Sequence, residues 1–306
     1  MKLFKKRKNK IIERDEQIVK VIAYVLLSIM SIVAIAPFII LLSASFSSEA
    51  SIAQYGYGFF PKEFSIDAWK YLWNAWKIIG KAYGVTILIT AIGTVLSVMT
   101  TSMVAYGLIQ KVRGIKLIMA LLVVTMIFNG GLVATYYVWA GWMDIKNTFA
   151  ALIFPNLFTS AFSVILVMSY YKTSIPTEML EAARLDGASE MHIYYHVVLP
   201  LSKPILATIG LMQGITYWND WSNGAYYIDV RHSDMYSIQQ LLNQMNQQIE
   251  FLATNPDFAT QMGGMELPQE SVRMAIAFVG VLPLIIAFPF FQKYFAKGLT
   301  LGGVKG

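Results

Sequence analysis

Long apolar stretches alternate with short polar ones along the 306 residues of the chain. An apolar stretch of about 20 residues, wound as a helix, crosses the roughly 30 Å of hydrocarbon in a bilayer. The pattern therefore predicts an all-α membrane protein with a single membrane domain over 18–291. Its six transmembrane helices are expected near residues 18–42, 85–109, 117–139, 148–170, 205–221 and 272–291.

Composition supports a membrane protein before any motif is considered. Hydrophobic residues make up 56% of the chain, charged residues 14%, and the mean hydropathy is +0.54. A soluble domain rarely has this balance. There are no cysteines, so disulfides and thiolate metal sites are excluded.

The basic residues orient the spans, because Lys and Arg stay on the cytoplasmic side of a membrane. With the N-terminus inside, 17 of the 24 Lys and Arg fall in inner segments and six in outer loops. This predicts an N-in/C-in topology. The cytoplasmic segments are a basic tail over 1–17, a loop over 178–204 and a C-terminal tail over 292–306, and a large extracellular loop covers 223–270.

The basic N-terminal tail has two alternative interpretations. It could begin a secretory signal, but the apolar run that follows is longer than the 7–15 residues of a signal core, so an uncleaved first span is favoured. The cluster Lys5-Lys6-Arg7-Lys8 could bind nucleic acid. Beside a membrane span, anionic lipid is the expected partner and nucleic acid is not.

Two outer loops carry helical patterns. In the first, Trp69, Leu72, Trp73 and Trp76 recur at helical spacing, which indicates a helix in the membrane interface or aromatic anchors for the second span. In the last, an amphipathic helix is expected with Leu241, Leu242 and Met245 packed inward. That polar loop either forms a binding surface or is simply solvated.

The loop over 178–204 carries mixed charge, which suits a protein interface better than lipid. Pro176 near the first turn begins a predicted helix that places Leu180 and Ala183 on one face. Gly187 allows a turn. A second helix over 189–197 is expected to end before Leu199-Pro200. A short helix with small residues can enter a groove of a partner, while an ordinary amphipathic connector is the alternative.

The same loop resembles the EAA loop of ATP-binding-cassette (ABC) importer membrane subunits through Glu181-Ala182-Ala183, Gly187 and Leu199-Pro200. Further segments resemble the carbohydrate-uptake permeases, particularly the branch that imports oligosaccharides and polysaccharide fragments. They are 125–132, Trp218-Asn219-Asp220-Trp221, 267–275, 288–295 and 297–306. Ala134 and Ser237 depart from that branch, which has proline at both positions.

The resemblance implies a type I ABC importer permease fold in the cytoplasmic membrane of a Gram-positive bacterium. The expected partners are a second homologous permease, two ATPase subunits, an extracellular solute-binding lipoprotein, membrane lipid and a carbohydrate substrate. ATP and magnesium would be bound by the ATPase subunits, and this chain would hold no cofactor. The expected coupling residues are Glu181, Ala182, Ala183, Asp186 and Gly187.

The chain shows no nucleotide site of its own. Gly80-Lys81 lacks the preceding glycine spacing and the following Ser or Thr of a phosphate-binding loop. His192 and His196 stand four residues apart, but a third metal ligand is not evident, and a surface role is favoured. No nucleophile motif indicates an intramembrane enzyme.

Polar and aromatic residues inside spans are candidates for the sugar path, because an unpaired polar group is costly in hydrocarbon. Rings can stack on sugar C–H surfaces, and amides or carboxylates can bind hydroxyls. The predicted substrate-path residues are Trp218, Asn219, Asp220, Trp221, Tyr217, Gln213, Asn129 and Tyr136. Interfacial aromatic belts and helix caps are the structural alternative for these residues.

Gly210 and Gly214 in the fifth span predict close helix packing, with a flexible break during gating as the second interpretation. Among whole-protein functions, a permease for a non-sugar solute of the same superfamily is the nearest alternative. A channel or ion-coupled transporter is more remote, because neither needs a charged Glu-Ala-Ala loop.

Overall fold

The computed structural model describes residues 2–110, 113–128, 130–155, 157–255 and 270–301, with side chains from residue 16 onward except 252–253, 287–288 and 290–301. These residues confirm the all-α prediction, since their only pairing of extended backbone is an isolated bridge between Ser47 and Phe64. The helices are α1 (Lys2–Ser45), α2 (Glu49–Tyr55), α3 (Asp67–Asn74), α4 (Trp76–Ile109), α5 (Ile115–Ile127), α6 (Gly131–Tyr136), α7 (Phe149–Ile153), α8 (Ala161–Ser174), α9 (Thr177–Leu185), α10 (Glu190–Ile193), α11 (Leu199–Leu201), α12 (Lys203–Asn219), α13 (Ser222–Tyr227), α14 (Ile238–Thr254) and α15 (Glu270–Leu301). Tyr137–Trp142 and Tyr194–Val198 are π-helical, and Val230–Met235 is a 3-10 helix.

Two compact units make up the chain. The first comprises Met1–Asn74 and Glu250–Val279, and the second comprises Ala75–Ile249 and Gly280–Gly306. In the first unit, Phe46 stacks on Phe64 and Trp69 with ring centroids 5.7 and 5.2 Å apart. The Glu49 carboxylate accepts hydrogen bonds from the backbone N–H groups of Glu270 and Ser271 at 2.9 and 3.2 Å, which caps the start of α15.

In the described part of the chain, two helices are long and apolar enough to cross a membrane, Glu16–Ser45 and Trp76–Ile109. A third is added if Glu190–Leu201 and Lys203–Asn219, which meet at an 80° bend, count as one span. The 18-residue apolar window within Glu16–Ser45 is 0% buried in protein. An uncovered apolar helix of that length is typical of a lipid-facing span.

The predicted third and fourth spans, 117–139 and 148–170, were wrong as continuous helices. The third breaks after Ile127, where Gly131 adopts a φ of +78° that glycine tolerates and side-chain-bearing residues rarely adopt. The fourth breaks between α7, which ends at Ile153, and α8, because Pro155 has no backbone N–H to continue the helical hydrogen bonds. With 13 and 14 residues, α5 and α8 are each only about 20 Å long at 1.5 Å per residue.

Other predicted boundaries also differ from the helices of the structure. The second span begins at Trp76 rather than 85, because the intervening residues contain no proline that would stop the helix. Consequently Trp76 does not share a helix with Trp69, which lies in α3. The last helix continues past 291 to Leu301, into the predicted tail. Residues 256–269 of the predicted outer loop and 302–306 of the tail lie outside the described residues.

The centre of the second unit is α4, which packs along both α8 and α12. Gly93 makes the contact with α12 possible, because a Cβ atom there would lie 2.5 Å from the ring of Tyr217. The prediction of close packing at Gly210 and Gly214 is confirmed. Their ideal Cβ positions lie 3.7 Å from Val98 Cγ2 and 3.5 Å from Thr94 Oγ1 of α4.

Residues of the predicted outer loop that belong to the second unit are also folded. The predicted amphipathic helix is α14, in which Leu242 and Met245 are buried and Leu241 is half-buried. The Thr86 hydroxyl of α4 accepts a hydrogen bond from the Ile238 backbone N–H at 2.7 Å, at the start of α14. This contact ties the first turn of α14 to the second predicted span.

Candidate coupling surface and substrate path

The helix that carries the EAA-like residues is α9, and local sequence determines both of its ends. Pro176 precedes it with φ −62°, as predicted for the helix start. At the other end, Gly187 has a φ of +81°. The Ala188 N–H donates to the Ala183 carbonyl at 3.0 Å, and the Gly187 N–H donates to the Arg184 carbonyl at 3.0 Å. This pair of bonds is a Schellman motif, so the prediction of a turn at Gly187 is confirmed.

One face of α9 is packed and the other is open. Leu180 is buried and Ala183 is half-buried against the same hydrophobic cluster, which confirms the shared face predicted for them. The predicted coupling residues Glu181, Ala182 and Asp186 are all exposed. A carboxylate and a small side chain are therefore presented together on an accessible helix surface.

The sequence predicted that the second helix of the loop ends before Leu199-Pro200, and this prediction was wrong. The helix continues through a π-helical segment, Tyr194–Val198, into α11, and the chain bends by 80° only at Ser202. Proline cannot donate a hydrogen bond and clashes with the carbonyl four residues earlier in an α-helix. The π-helical hydrogen bonding immediately before Pro200 accommodates that constraint.

Sequence reasoning missed an ion pair inside the loop. The Arg184 guanidinium donates through Nε to Glu190 Oε1 at 2.7 Å and through Nη2 to Glu190 Oε2 at 3.4 Å. Arg184 Nη2 also donates to Gln110 Oε1, just past the end of α4, at 2.6 Å. The Tyr106 hydroxyl of α4 donates to Glu190 Oε2. The hydrogen bonds from Arg184 and Tyr106 hold the pKa of the Glu190 carboxyl below its usual range.

Buried hydroxyls continue this contact between the loop and the helices. The rings of Tyr106 and Tyr194 lie 5.4 Å apart, and the Tyr194 hydroxyl donates to Ser102 Oγ of α4 at 2.8 Å. Ser102 Oγ is also 2.6 Å from the Tyr171 hydroxyl of α8. Ser102, Tyr171 and Tyr194 are each at most 1% exposed. Loop, α4 and α8 thus share one polar network at this end of the unit.

Two predicted substrate-path residues are buried and support the break between α7 and α8. The Tyr217 hydroxyl donates to the Ile153 carbonyl at 2.9 Å, and Gln213 Nε2 donates to the Leu157 carbonyl. Asn223 Nδ2 donates to the Pro155 carbonyl at 3.0 Å. A broken helix frees backbone carbonyls that need partners when buried. These three side chains supply those hydrogen-bond partners, so Gln213 and Tyr217 have a structural role at the break.

The residues at the end of α12 divide into capping and accessible groups. Asp220 Oδ1 accepts from the Ser222 N–H at 3.2 Å and the Ser222 hydroxyl at 2.7 Å, contacts that favour the capping alternative. Trp218 is half-buried, with its indole N–H 3.4 Å from the Gly280 carbonyl. Asn219 and Trp221 are exposed.

The other residues singled out from the sequence are not part of α12. Tyr136 stacks on Tyr227 with ring centroids 5.6 Å apart, as part of a hydrophobic cluster. Asn129 lies outside the described residues. The rings of His192 and His196 stack at 4.0 Å, and the two residues lie at exposed positions of the loop.

The described part of the chain is thus all helical, with a charged helix–turn–helix at one end of its packed helices. The family model of the binding-protein-dependent transport system inner membrane component matches residues 88–301. The chain belongs to this family, which confirms the resemblance noted in its loop. It is a permease of the inner membrane, a transport subunit rather than an enzyme, and works with a binding protein and an ATPase.

Similar proteins match along nearly the whole chain. Protein LplC of Bacillus subtilis (strain 168) is 34% identical over 275 residues, which are 90% of each chain. The polygalacturonan/rhamnogalacturonan transport system permease protein YtcP of the same organism is 34% identical over 92% of this chain and 96% of that protein. A crystal structure of a bacterial ABC transporter involved in import of the acidic polysaccharide alginate matches with a TM-score of 0.75 and 29% identity, covering 92% of this chain and 98% of that one.

Proposed function

We propose that this chain is a permease subunit of an ABC importer that carries an oligosaccharide or a polysaccharide fragment across the cytoplasmic membrane. Relatives named for transport of polygalacturonan/rhamnogalacturonan and for import of alginate, matched over about nine-tenths of the chain, support the substrate class. The single observation that carries the proposal is the exposed face of α9, with Glu181 and Ala182 open on a helix closed by its own Schellman motif.

The proposed architecture is the type I permease fold with six spans and both termini inside. Two of the spans would be discontinuous, α5 with α6 and α7 with α8. Irregular backbone at membrane depth is tolerated where it is buried in protein or lines a cavity. The carbonyls held by Tyr217, Gln213 and Asn223 meet the first condition at the α7–α8 break.

The proposed partners are two ATPase subunits, a second homologous permease and an extracellular solute-binding lipoprotein. The ATPase subunits bind ATP and magnesium, and one of them receives α9 in a groove. Leu185 and Met179, 88% and 46% exposed, add apolar surface to Glu181 and Ala182. Small and apolar side chains can fill a groove, and the carboxylate among them can pair with a partner cation.

The proposed cycle is alternating access. Closure of the ATPase dimer moves the loop over 178–204, which we call the coupling loop. Helices α4 and α12 follow through their packing, and the sugar site opens outward. Trp218, Asn219 and Trp221 are the proposed sugar contacts of this chain, because they combine ring faces with an amide at the accessible end of α12.

The test is a charge reversal at the proposed docking face. Glu181→Lys places a cation where a partner cation is expected, so the ATPase should be lost from the purified complex and sugar uptake abolished. Glu16→Lys makes the same charge change at an exposed position of α1 and should leave both intact. Normal uptake by Glu181→Lys cells would contradict the docking role.

The same purification tests the substrate class. Mass spectrometry of proteins that accompany the wild-type chain should find a solute-binding protein whose bound solute is a glycan. A binding protein that holds a non-sugar solute would support the alternative permease function, and recovery of this chain without an ATPase would contradict the importer proposal.

A further inference from the structure

The coupling loop is bonded to the inner end of α4 as well as folded on itself. The bonds come from four side chains, Arg184 and Glu190 of the loop and Tyr106 and Gln110 at the end of α4, which we call the clamp. Arg184 donates to Glu190 and Gln110, while Glu190 accepts from Arg184 and Tyr106. Each loop residue therefore contacts both the loop and α4.

We propose that the clamp holds the coupling loop and α4 together as one moving body, so that displacement of the loop by an ATPase is transmitted to α4. This inference rests on the proposed function, since it needs a partner that moves the loop. Arg184, Glu190, Tyr106 and Gln110 are positioning residues in this scheme, and they lie apart from the exposed docking face at Glu181 and Ala182.

The geometry favours a clamp that transmits movement of the loop to α4 over one that only stabilises the loop itself. A brace within the loop would need only the Arg184–Glu190 pair, because the Schellman motif already closes the turn. Here both partners are shared with α4, and Tyr106 also packs its ring against Tyr194 of the loop. Charge-assisted hydrogen bonds at several angles resist shear better than apolar contact, which is non-directional.

The helix that receives the displacement is suited to pass it on. From the clamp, α4 runs past Ser102 to Gly93, where its backbone lies directly against the ring of Tyr217. The Tyr217 hydroxyl holds the Ile153 carbonyl at the break between α7 and α8. A shift of α4 therefore acts on both α12 and the broken segment through direct contacts.

The experiment compares sugar transported per ATP hydrolysed in the complete importer, purified and reconstituted with its ATPase and binding protein. Tyr106→Phe removes one hydroxyl and keeps the ring, and Glu190→Gln removes the charge. In both variants the ATPase should remain bound while sugar transported per ATP falls by about threefold or more. Glu16→Gln, at an exposed glutamate of α1 outside the loop, is the matched control and should leave the ratio unchanged.

A cross-link distinguishes a clamp that stays closed from one that opens. Because the chain has no cysteine, Gln110→Cys with Arg184→Cys introduces the only reactive pair. A short bifunctional thiol reagent should restore the coupling ratio that the double substitution lowers. Loss of transport on cross-linking, or unchanged ratios in both Tyr106→Phe and Glu190→Gln, would overturn the clamp. Absence of any ATPase from the wild-type complex would instead overturn the proposed function.

Discussion

A glycine and a tyrosine decide how closely two central helices approach. Gly93 of α4 faces the ring of Tyr217 of α12, and an ideal Cβ at Gly93 would lie 2.5–2.8 Å from three ring carbons. Carbon atoms in contact prefer separations of about 3.5–4.0 Å. Gly93 therefore permits a helix contact that no other residue allows without movement of the ring or backbone.

Gly93→Ala should destabilise the protein by about 1–3 kcal/mol, because the added methyl overpacks the contact. Gly84→Ala is the matched control on the same helix, since no atom lies within 4 Å of its ideal Cβ. Alanine is the better helix former by about 1 kcal/mol, so that control should be neutral or slightly stabilising. Thermal unfolding in detergent measures both, and equal melting temperatures for the two variants would contradict the close approach.

At the scale of elements, the coupling loop depends on the left-handed turn at Gly187. With φ at +81°, a residue that carries a Cβ costs roughly 1–2 kcal/mol there, whereas asparagine tolerates the conformation better. Gly187→Ala should loosen the end of α9 and reduce uptake, and Gly187→Asn should retain more of it. Uptake rates compared at equal membrane levels of the two variants test this, and an alanine variant as active as wild type would contradict it.

The breaks in two predicted spans could not be predicted from the local sequence. Pro155 and Gly131 were visible signals, but apolar residues on both sides made each region read as one continuous span. What stabilises the α7–α8 break comes from α12 and α13, through Gln213, Tyr217 and Asn223. Those partners are more than 50 residues away in the chain, so no local pattern indicated them.

At the scale of the whole molecule, the proposed topology places the start of α5 inside and the 3-10 segment after α13 outside. Lys116 and Val230 are exposed positions in these two regions. In intact cells, a membrane-impermeant maleimide should label Val230→Cys and leave Lys116→Cys unlabelled until the membrane is permeabilised. The cysteine-free parent chain is the background control. The reverse labelling pattern would invert the proposed orientation.

The sequence by itself determined the membrane class, the helical content, the family and the exposed helix of the coupling loop. These follow from local properties: apolar length, charge bias, and the residues that begin and end α9. The residues Glu181, Ala182 and Gly187 were accessible to this reasoning because a short surface helix is defined by its own neighbours in the chain.

Only the tertiary structure decided what the polar side chains within and beside the helices do. Gln213 and Tyr217 looked alike as candidates for a sugar path, yet their hydrogen bonds go to backbone carbonyls more than 50 residues away in the chain. Arg184 and Glu190 looked like ordinary loop charges, yet they bond to the end of α4. The physical reason is common to both cases: a buried or paired polar group is defined by its partner, and here the partner comes from a distant part of the chain.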